Sequence, residues 1–338
     1  MSGRSVYVVM LLAVNFHYIR PSFDAPYPAI FGETPAQFLS QITRLARHVE
    51  FVSPYRVAQA VAGESDLPER ACLITFDDGL AEQFEIAYPL LQRVGIPAAF
   101  YVNTSAIADH CVMTVHKAHY VRAQTEPRVL EQALLAFAQE HGVDVEIADD
   151  ADRRQYRYDD PAVARFKFVF NFRLNSNLQS EFIDRRFRAL CDDEAAFARQ
   201  LYMSKEMVRA LGAGQMVGTH THAHRSLGEM NDSDIGDDIR MSLDLLSEWG
   251  VGPVRSISYP FGGPQACPLS VAGIAAAQGL RFGLTMERAA NFYFREPMFL
   301  ARFACNDVPG GRAFKGDEEA FFATLPEAQF ARVDMIGS

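Results

Sequence analysis

The sequence has few cysteines and no closely spaced cysteine pair. Its five cysteines are scattered along 338 residues, at Cys72, Cys111, Cys191, Cys267 and Cys305. An odd number of isolated cysteines is a poor basis for a disulfide framework. We therefore expect a reducing compartment and assign the protein to the cytoplasm.

The sequence also lacks an excess of positive charge, since its formal net charge is −10. Nucleic acids and anionic membranes recruit surfaces rich in lysine and arginine, so neither is expected as the main partner. A local basic pocket can exist in an acidic protein, and a phosphorylated or nucleotide-linked small molecule is therefore not excluded.

No integral membrane span is expected either. The apolar run Val6–Val14 follows Arg4 and imitates a secretory signal, but it is too short to cross a bilayer. No small-x-small cleavage site follows it before Asn15 and His17. A strand that is covered on both faces produces the same continuous apolar run. We therefore predict a buried β-strand here rather than a signal peptide.

The first hundred residues alternate between strand and helix patterns. Helices are predicted at Pro35–His48, with Thr34 as the cap, and at Glu82–Val94, with a kink or break at Pro89. Strands are predicted at Ala71–Phe76 and Ala98–Val102. This β-α-β order predicts a parallel sheet or barrel, whose functional residues gather at the C-terminal ends of its strands.

The alternation stops after Thr104. Residues 105–200 are more polar and mostly helical, with amphipathic segments at Val129–Gln139 and Leu178–Leu190 and an acidic turn at Ala148–Asp152. We predict a single domain, residues 1–338, with an insertion at about 105–200. The insertion has two candidate roles: a surface or homo-oligomer contact, or a lid over a substrate pocket.

The strand and helix pattern then resumes. Helices are predicted at Ser204–Leu211, Asp232–Trp249 and Ser270–Gln278, and strands at Gly214–Thr219, Val254–Tyr259 and Phe282–Thr285.

Two adjacent acids, Asp77 and Asp78, follow the predicted strand Ala71–Phe76 within the sequence TFDDG. Adjacent carboxylates repel each other, and a bound cation is a natural way to keep both ionised. An acidic turn that ends at Gly79 is the alternative interpretation, because Asp-Gly is common in turns.

Three of the nine histidines fall within five residues, in the sequence Gly218–His224 (GTHTHAH). Imidazole is the commonest metal-ligating side chain, and two histidines with one carboxylate form a recurring open zinc site. His220 and His224 can converge if the chain turns between them, whereas His222 is expected to point elsewhere and to support them. The alternative is a polar loop that happens to be rich in histidine.

Together, TFDDG and the later HTxxH resemble the polysaccharide deacetylase family, also called NodB-homology or carbohydrate esterase family four. The segments Tyr202–Leu227 and Ser258–Gly262 are similar to the same family. The resemblance implies an α/β fold, a distorted (β/α)7 barrel, here with a large helical insertion.

The resemblance also implies roles for individual residues. Asp77 would be the general base, and Asp78, His220 and His224 would hold a divalent metal, most simply zinc. The metal would polarise the acyl carbonyl and make water more acidic. Phe261, where the family usually has tyrosine, would offer its backbone N–H to the developing oxyanion.

The sequence departs from the family pattern in two places. Ser258 occupies the usual position of an arginine, and Arg302 is our candidate substitute, assigned to tuning the base and to the oxyanion and substrate region. No histidine follows His224, so the late catalytic histidine of the family is missing. In circularly permuted relatives a histidine on the N-terminal strand replaces it, and His17 fits that pattern as the general acid. A core histidine bonded to backbone is the alternative, in which case His222 or an insertion histidine would be the acid.

We therefore expect a metal-dependent N-deacetylase of an amino sugar, possibly carried on a nucleotide or lipid. The opening His17–Pro21 (HYIRP) resembles cytoplasmic members that act in lipopolysaccharide or O-antigen assembly. Three alternatives stay open: an N-deformylase of a sugar intermediate, a metal-free amidohydrolase of a ureide-like ring, and a non-catalytic sugar-binding relative.

Overall fold

A computed structural model describes residues 9–22, 32–147, 152 and 160–330. The start of the predicted strand Val6–Val14 lies outside these residues, as does all of the predicted acidic turn Ala148–Asp152 except Asp152. The chain divides into two compact units. Within the described part, the first unit contains 9–21, 32–110 and 198–330, and the second contains 22, 111–147, 152 and 160–197. Our prediction of one domain with an insertion at about 105–200, as a lid or oligomer contact, stays a prediction.

The first unit contains a mixed sheet of nine strands among the described residues. They are β1 (Met10–Phe16), β2 (Glu50–Phe51), β3 (Arg70–Phe76), β4 (Ala98–Val102), β5 (Val217–Thr219), β6 (Ser256–Ser258), β7 (Phe282–Leu284), β8 (Asn291–Phe292) and β9 (Phe303–Ala304). Their order is β7-β6-β5-β4-β3-β1-β8, and all these pairs are parallel except β1 with β8. Every residue of β1 is buried, as expected for a strand covered on both faces.

The segment at residues 300–304 brings the two sides of this sheet together. Leu300 forms a parallel bridge with Leu284 of β7, and Phe303 of β9 pairs with Val14 of β1. The sheet therefore curls until this one segment contacts both β7 and β1. The α/β fold and the distorted barrel are confirmed.

The described residues also contain thirteen α-helices. They are α1 (Pro35–Leu45), α2 (Pro54–Val61), α3 (Tyr88–Val94), α4 (Thr104–Ala108), α5 (Thr114–Gln124), α6 (Pro127–Glu140), α7 (Pro161–Phe172), α8 (Ser176–Arg188), α9 (Glu194–Leu201), α10 (Lys205–Ala213), α11 (Asp232–Glu248), α12 (Val271–Ala277) and α13 (Glu318–Ala323). None of these helices has the length and apolar character needed to cross a membrane.

Local sequence signals explain several helix boundaries. Thr34 and Gln37 form a capping box at the start of α1, in which each side chain bonds the backbone of the other residue. The predicted helix Glu82–Val94 is instead a π-helical turn, Gln83–Ala87, followed by α3. Pro89 lies in the first turn of α3, where its missing N–H is tolerated.

The second unit is helical in its described residues. Within it, a buried lysine on α5, Lys117, forms ion pairs with Asp184 at 2.7 Å and Glu194 at 2.9 Å. These contacts link α5, α8 and the first residue of α9.

Candidate active site

The predicted site residues lie at the C-terminal ends of parallel strands of the sheet. His17 follows β1, Asp77 and Asp78 follow β3, and His220 follows β5. Phe16 is aligned with Phe76 in the parallel pairing of β1 with β3, so the residues that follow them emerge side by side. The curled sheet therefore brings together residues that are more than two hundred positions apart in sequence.

Asp78, His220 and His224 form one compact group. One ligand-type atom of each side chain lies within 4.8 Å of the others. The Nε2 atoms of His220 and His224 are each 3.4 Å from the same oxygen of Asp78, Oδ1. Among the described residues, this is the one group of three or more histidine, cysteine or acidic side chains with such spacing.

The chemistry of this group fits a divalent cation. His220 Nδ1 lies 2.7 Å from the carbonyl oxygen of Ser258 and must donate to it, which leaves Nε2 to face Asp78. Burial alone would lower the pKa of His220, but the carboxylates of Asp77 and Asp78 raise it overall. The pocket is therefore negative where the imidazole nitrogens converge, and two nitrogens with one carboxylate match the ligand preference of zinc.

Asp77 is buried and held by Arg302. The guanidinium donates from Nη1 to Oδ1 at 2.9 Å and from Nη2 to Oδ2 at 2.7 Å, a two-pronged ion pair. Burial alone would raise the pKa of Asp77, but the charge and hydrogen bonds of Arg302, together with nearby histidines, lower it to about 2. Asp77 is therefore ionised at neutral pH.

Three polar side chains complete the surroundings of this pair. Asn15 donates to Asp77 Oδ2 at 3.0 Å, while Thr75 and Ser258 accept from Arg302 at 3.2 and 2.9 Å. Ser258 thus contacts Arg302 with its hydroxyl and His220 with its carbonyl. In the sequence, Ser258 occupies the usual position of an arginine. In the structure, the guanidinium of Arg302 contacts Ser258 from residues 300–304, the segment that contacts both β7 and β1.

His17 lies on the open side of the group. Its Nε2 atom is 3.8 Å from Asp78 Oδ2, and its side chain is 44% exposed, in contrast to 3% for His220. A substrate can therefore reach His17, whereas His220 is buried.

Comparison with protein families decides the identity of the fold. The family model "Polysaccharide deacetylase" matches residues 64–148 and 172–282, more than half of the chain. The chain belongs to the polysaccharide deacetylase family. It is a carbohydrate deacetylase and therefore a hydrolase. The matched ranges contain Asp77, Asp78, His220 and His224 but neither His17 nor Arg302.

Solved structures of deacetylases have the same fold. The deacetylase PplD of Streptococcus pyogenes, in complex with acetate, is 15% identical, with a TM-score of 0.53 over 88% of this chain and 92% of PplD. IcaB of Ammonifex degensii is 17% identical, with a TM-score of 0.52 over 88% and 91% of the two chains. A de-N-acetylase of Aggregatibacter actinomycetemcomitans is 13% identical, with a TM-score of 0.52 over 87% and 94%. No curated protein matches the sequence.

The remaining predicted site residues of this deacetylase lie close to the same group. The ring of Phe261 packs edge-on against His224, with 5.2 Å between ring centroids, and is 58% exposed. Arg302 is completely buried, and its guanidinium contacts the carboxylate of Asp77 and not an exposed surface. His222 lies in the loop between His220 and His224, with its Nδ1 atom 3.0 Å from the hydroxyl of Thr104.

Four non-glycine residues of the site have left-handed backbone conformations: Asp78, Thr221, His224 and Phe261, with φ values of 76°, 64°, 50° and 63°. Non-glycine residues adopt such conformations rarely, and they cluster at functional sites. At Gly262 (φ 59°) a Cβ atom would lie 2.8 Å from the backbone nitrogen of Met286, so only glycine fits after Phe261.

Sequence reasoning missed Asn15, Thr75 and Asp238 as parts of the site. Asn15 and Thr75 are aligned with each other near the ends of β1 and β3, and two polar residues in otherwise apolar strands were the signal that could have identified them. Asp238 lies on α11 and accepts hydrogen bonds from the backbone of His222 and Ala223. No sequence pattern shows which loop a helix side chain contacts.

Proposed function

We propose that this deacetylase is metal-dependent and removes the acetyl group from an N-acetylated amino sugar of a cell-surface glycan. The observation that carries the proposal is the convergence of Asp78, His220 and His224 beside an ionised Asp77 and an accessible His17. Two structural neighbours, a de-N-acetylase and a deacetylase in complex with acetate, support the choice of acyl group.

Each residue of the group has one proposed task. Asp78, His220 and His224 would hold the metal, and we propose zinc because the donor set is one carboxylate and two imidazoles. When bound, the metal supplies polarisation of the acyl carbonyl and a more acidic water. Asp77 would accept the proton of the attacking water, since Arg302 keeps its carboxylate ionised.

Two further groups would complete the reaction. His17 would donate a proton to the departing amine, because an amine leaves poorly without one and the exposed imidazole faces the site. Phe261 would offer its backbone N–H to the developing oxyanion, since its ring packs against His224 and its backbone has a left-handed conformation.

The pathway and the compartment are further parts of the proposal. We propose a role in lipopolysaccharide or O-antigen assembly, on a nucleotide- or lipid-linked sugar, from the resemblance of the His17–Pro21 opening. All five cysteines are free thiols, which supports the cytoplasm as the compartment. Cell fractionation tests this part, because recovery in an extracytoplasmic fraction would contradict it.

A substrate panel tests the reaction. Purified protein is incubated with nucleotide-linked N-acetyl and N-formyl amino sugars, and the free amine is measured. We expect amine release from an N-acetyl sugar that is sensitive to a metal chelator and about 10²- to 10⁴-fold slower in Asp77→Asn. Release from N-formyl sugars alone would indicate a deformylase, and release that the chelator does not affect would overturn metal dependence.

A further inference from the structure

The loop that joins His220 and His224 accepts hydrogen bonds through its carbonyl groups from residues at the start of α4. The carbonyl of His222 accepts a hydrogen bond from Asn103 Nδ2 at 2.8 Å and from the backbone N–H of Ser105 at 3.1 Å. The backbone N–H of Thr104 also donates to the carbonyl of Thr221, at 3.4 Å. These contacts hold the loop from the side of β4.

Two backbone N–H groups of the same loop donate hydrogen bonds to one carboxylate. Asp238, a buried residue on α11, accepts from the backbone N–H of His222 at 2.8 Å and from that of Ala223 at 3.0 Å. One side chain thereby satisfies two consecutive amides midway between His220 and His224. Hydrogen bonds to an ionised carboxylate are stronger than those to a neutral acceptor, so the loop conformation depends on Asp238.

Ser242, one helical turn after Asp238, extends this support. Its hydroxyl lies 2.7 Å from that of Thr219, whose oxygen accepts the backbone N–H of Thr221 at 3.0 Å. The hydroxyl of Thr221 in turn accepts the backbone N–H of His224 at 3.3 Å. Asp238 therefore contacts the loop directly and Ser242 supports it through Thr219, both from one face of α11.

The loop needs this support because its backbone is unusual. Thr221 and His224 both have positive φ values, 64° and 50°, which a threonine and a histidine rarely adopt. Such conformations persist only when surrounding contacts hold them. In this conformation the Nε2 atoms of His220 and His224 both lie 3.4 Å from Asp78 Oδ1.

We infer that Asp238 is a positioning residue that sets the metal affinity of the site by holding the His220–His224 loop in its ligating conformation. The inference rests on the proposed metal dependence. Groups that orient metal ligands typically contribute about 10- to 100-fold in metal affinity, although they never touch the metal. Loss of the Asp238 carboxylate releases the loop and lets His224 move away from Asp78.

A zinc titration with a competing chromophoric chelator tests the inference on the full-length protein. We expect zinc binding about 10- to 100-fold weaker in Asp238→Ala than in wild type. Asp238→Asn should lie between them, because an amide oxygen can accept only one of the two N–H groups while its NH₂ opposes the other. Asp237→Ala is the matched control, since Asp237 is an exposed neighbour on α11 that pairs with Arg240 at 2.8 Å.

Circular dichroism on each variant separates positioning from folding. If Asp238→Ala does not fold, Asp238→Asn and Ser242→Ala carry the test, and weaker zinc binding by folded protein supports the inference. Zinc affinity of folded variants equal to that of Asp237→Ala overturns it. His220→Ala then separates the two proposals. If the Asp238 variants bind zinc normally but His220→Ala binds it more weakly, the proposed metal site stands and only the positioning role of Asp238 fails. If His220→Ala also binds zinc as wild type does, both proposals fail.

Discussion

Replacing Arg302 with methionine should destabilise the protein strongly through Asp77. Arg302 is fully buried and donates hydrogen bonds to both oxygens of Asp77, to Thr75 and to Ser258. Methionine fills much of the same volume but removes the charge and all four hydrogen bonds. Asp77 would keep Asn15 as a donor, at 3.0 Å, but would lose its countercharge.

The expected magnitude follows from the cost of an uncompensated buried charge. Removing one partner of a buried ion pair typically costs about 3–5 kcal/mol. The pKa of Asp77 is held at about 2, below its value of about 3.9 in an unfolded chain. The pair therefore stabilises the fold above about pH 4, and this contribution is lost as the pH falls toward 2. The loss in Arg302→Met should be largest near pH 7.

Urea denaturation of metal-free protein at pH 7 measures the effect. A double-mutant cycle with Asp77→Asn isolates the interaction of the two side chains. The double variant should be more stable than Arg302→Met, because a neutral amide leaves no uncompensated charge in the interior. Arg302→Lys is the matched control: it keeps the charge but not the planar fork, and should lie between wild type and Arg302→Met.

Two results would refute this reasoning. Additive losses in the cycle, with no coupling between positions 77 and 302, would show that the ion pair does not stabilise the fold. A loss in Arg302→Met below about 1 kcal/mol would show that Asp77 is solvated or neutral in the variant, since an uncompensated buried charge costs more.

Two other predictions concern the metal and the acid. Asp77→Asn should retain the metal but lower turnover about 10²- to 10⁴-fold, whereas Asp78→Ala should lose the metal. Elemental analysis measures the bound metal and an amine-release assay measures turnover. Equal metal loss in the two variants would mean that the roles of Asp77 and Asp78 are misassigned. His17→Gln should retain the metal and lower kcat. The loss of kcat should be smaller on a substrate analogue whose leaving amine is more acidic, because that amine needs less protonation. An equal loss of kcat on both substrates would argue against His17 as the general acid.

Much of the site was accessible from local sequence patterns. Apolar runs that end in TFDDG and in GTHTHAH are local signals, since strands stop where polar ligands begin. His17 was also accessible, because it follows a buried apolar strand and no histidine follows His224. These positions depend on the alternation of strand and helix, which places the C-terminal ends of the parallel strands on one side of the sheet.

Other features were decided only by tertiary structure. The ion pair of Arg302 with Asp77 joins residues 225 positions apart, and it exists because residues 300–304 contact both β7 and β1. Asp238 contacts the backbone of the His220–His224 loop, and backbone amides carry no residue identity for a sequence pattern to record. The left-handed conformations of Asp78 and His224 are likewise held by surrounding contacts, not by their own residue types. The sequence by itself therefore determined which side chains follow the C-terminal ends of the strands. Tertiary contacts decided how those side chains are held, because hydrogen bonds between distant segments form only once the sheet has curled.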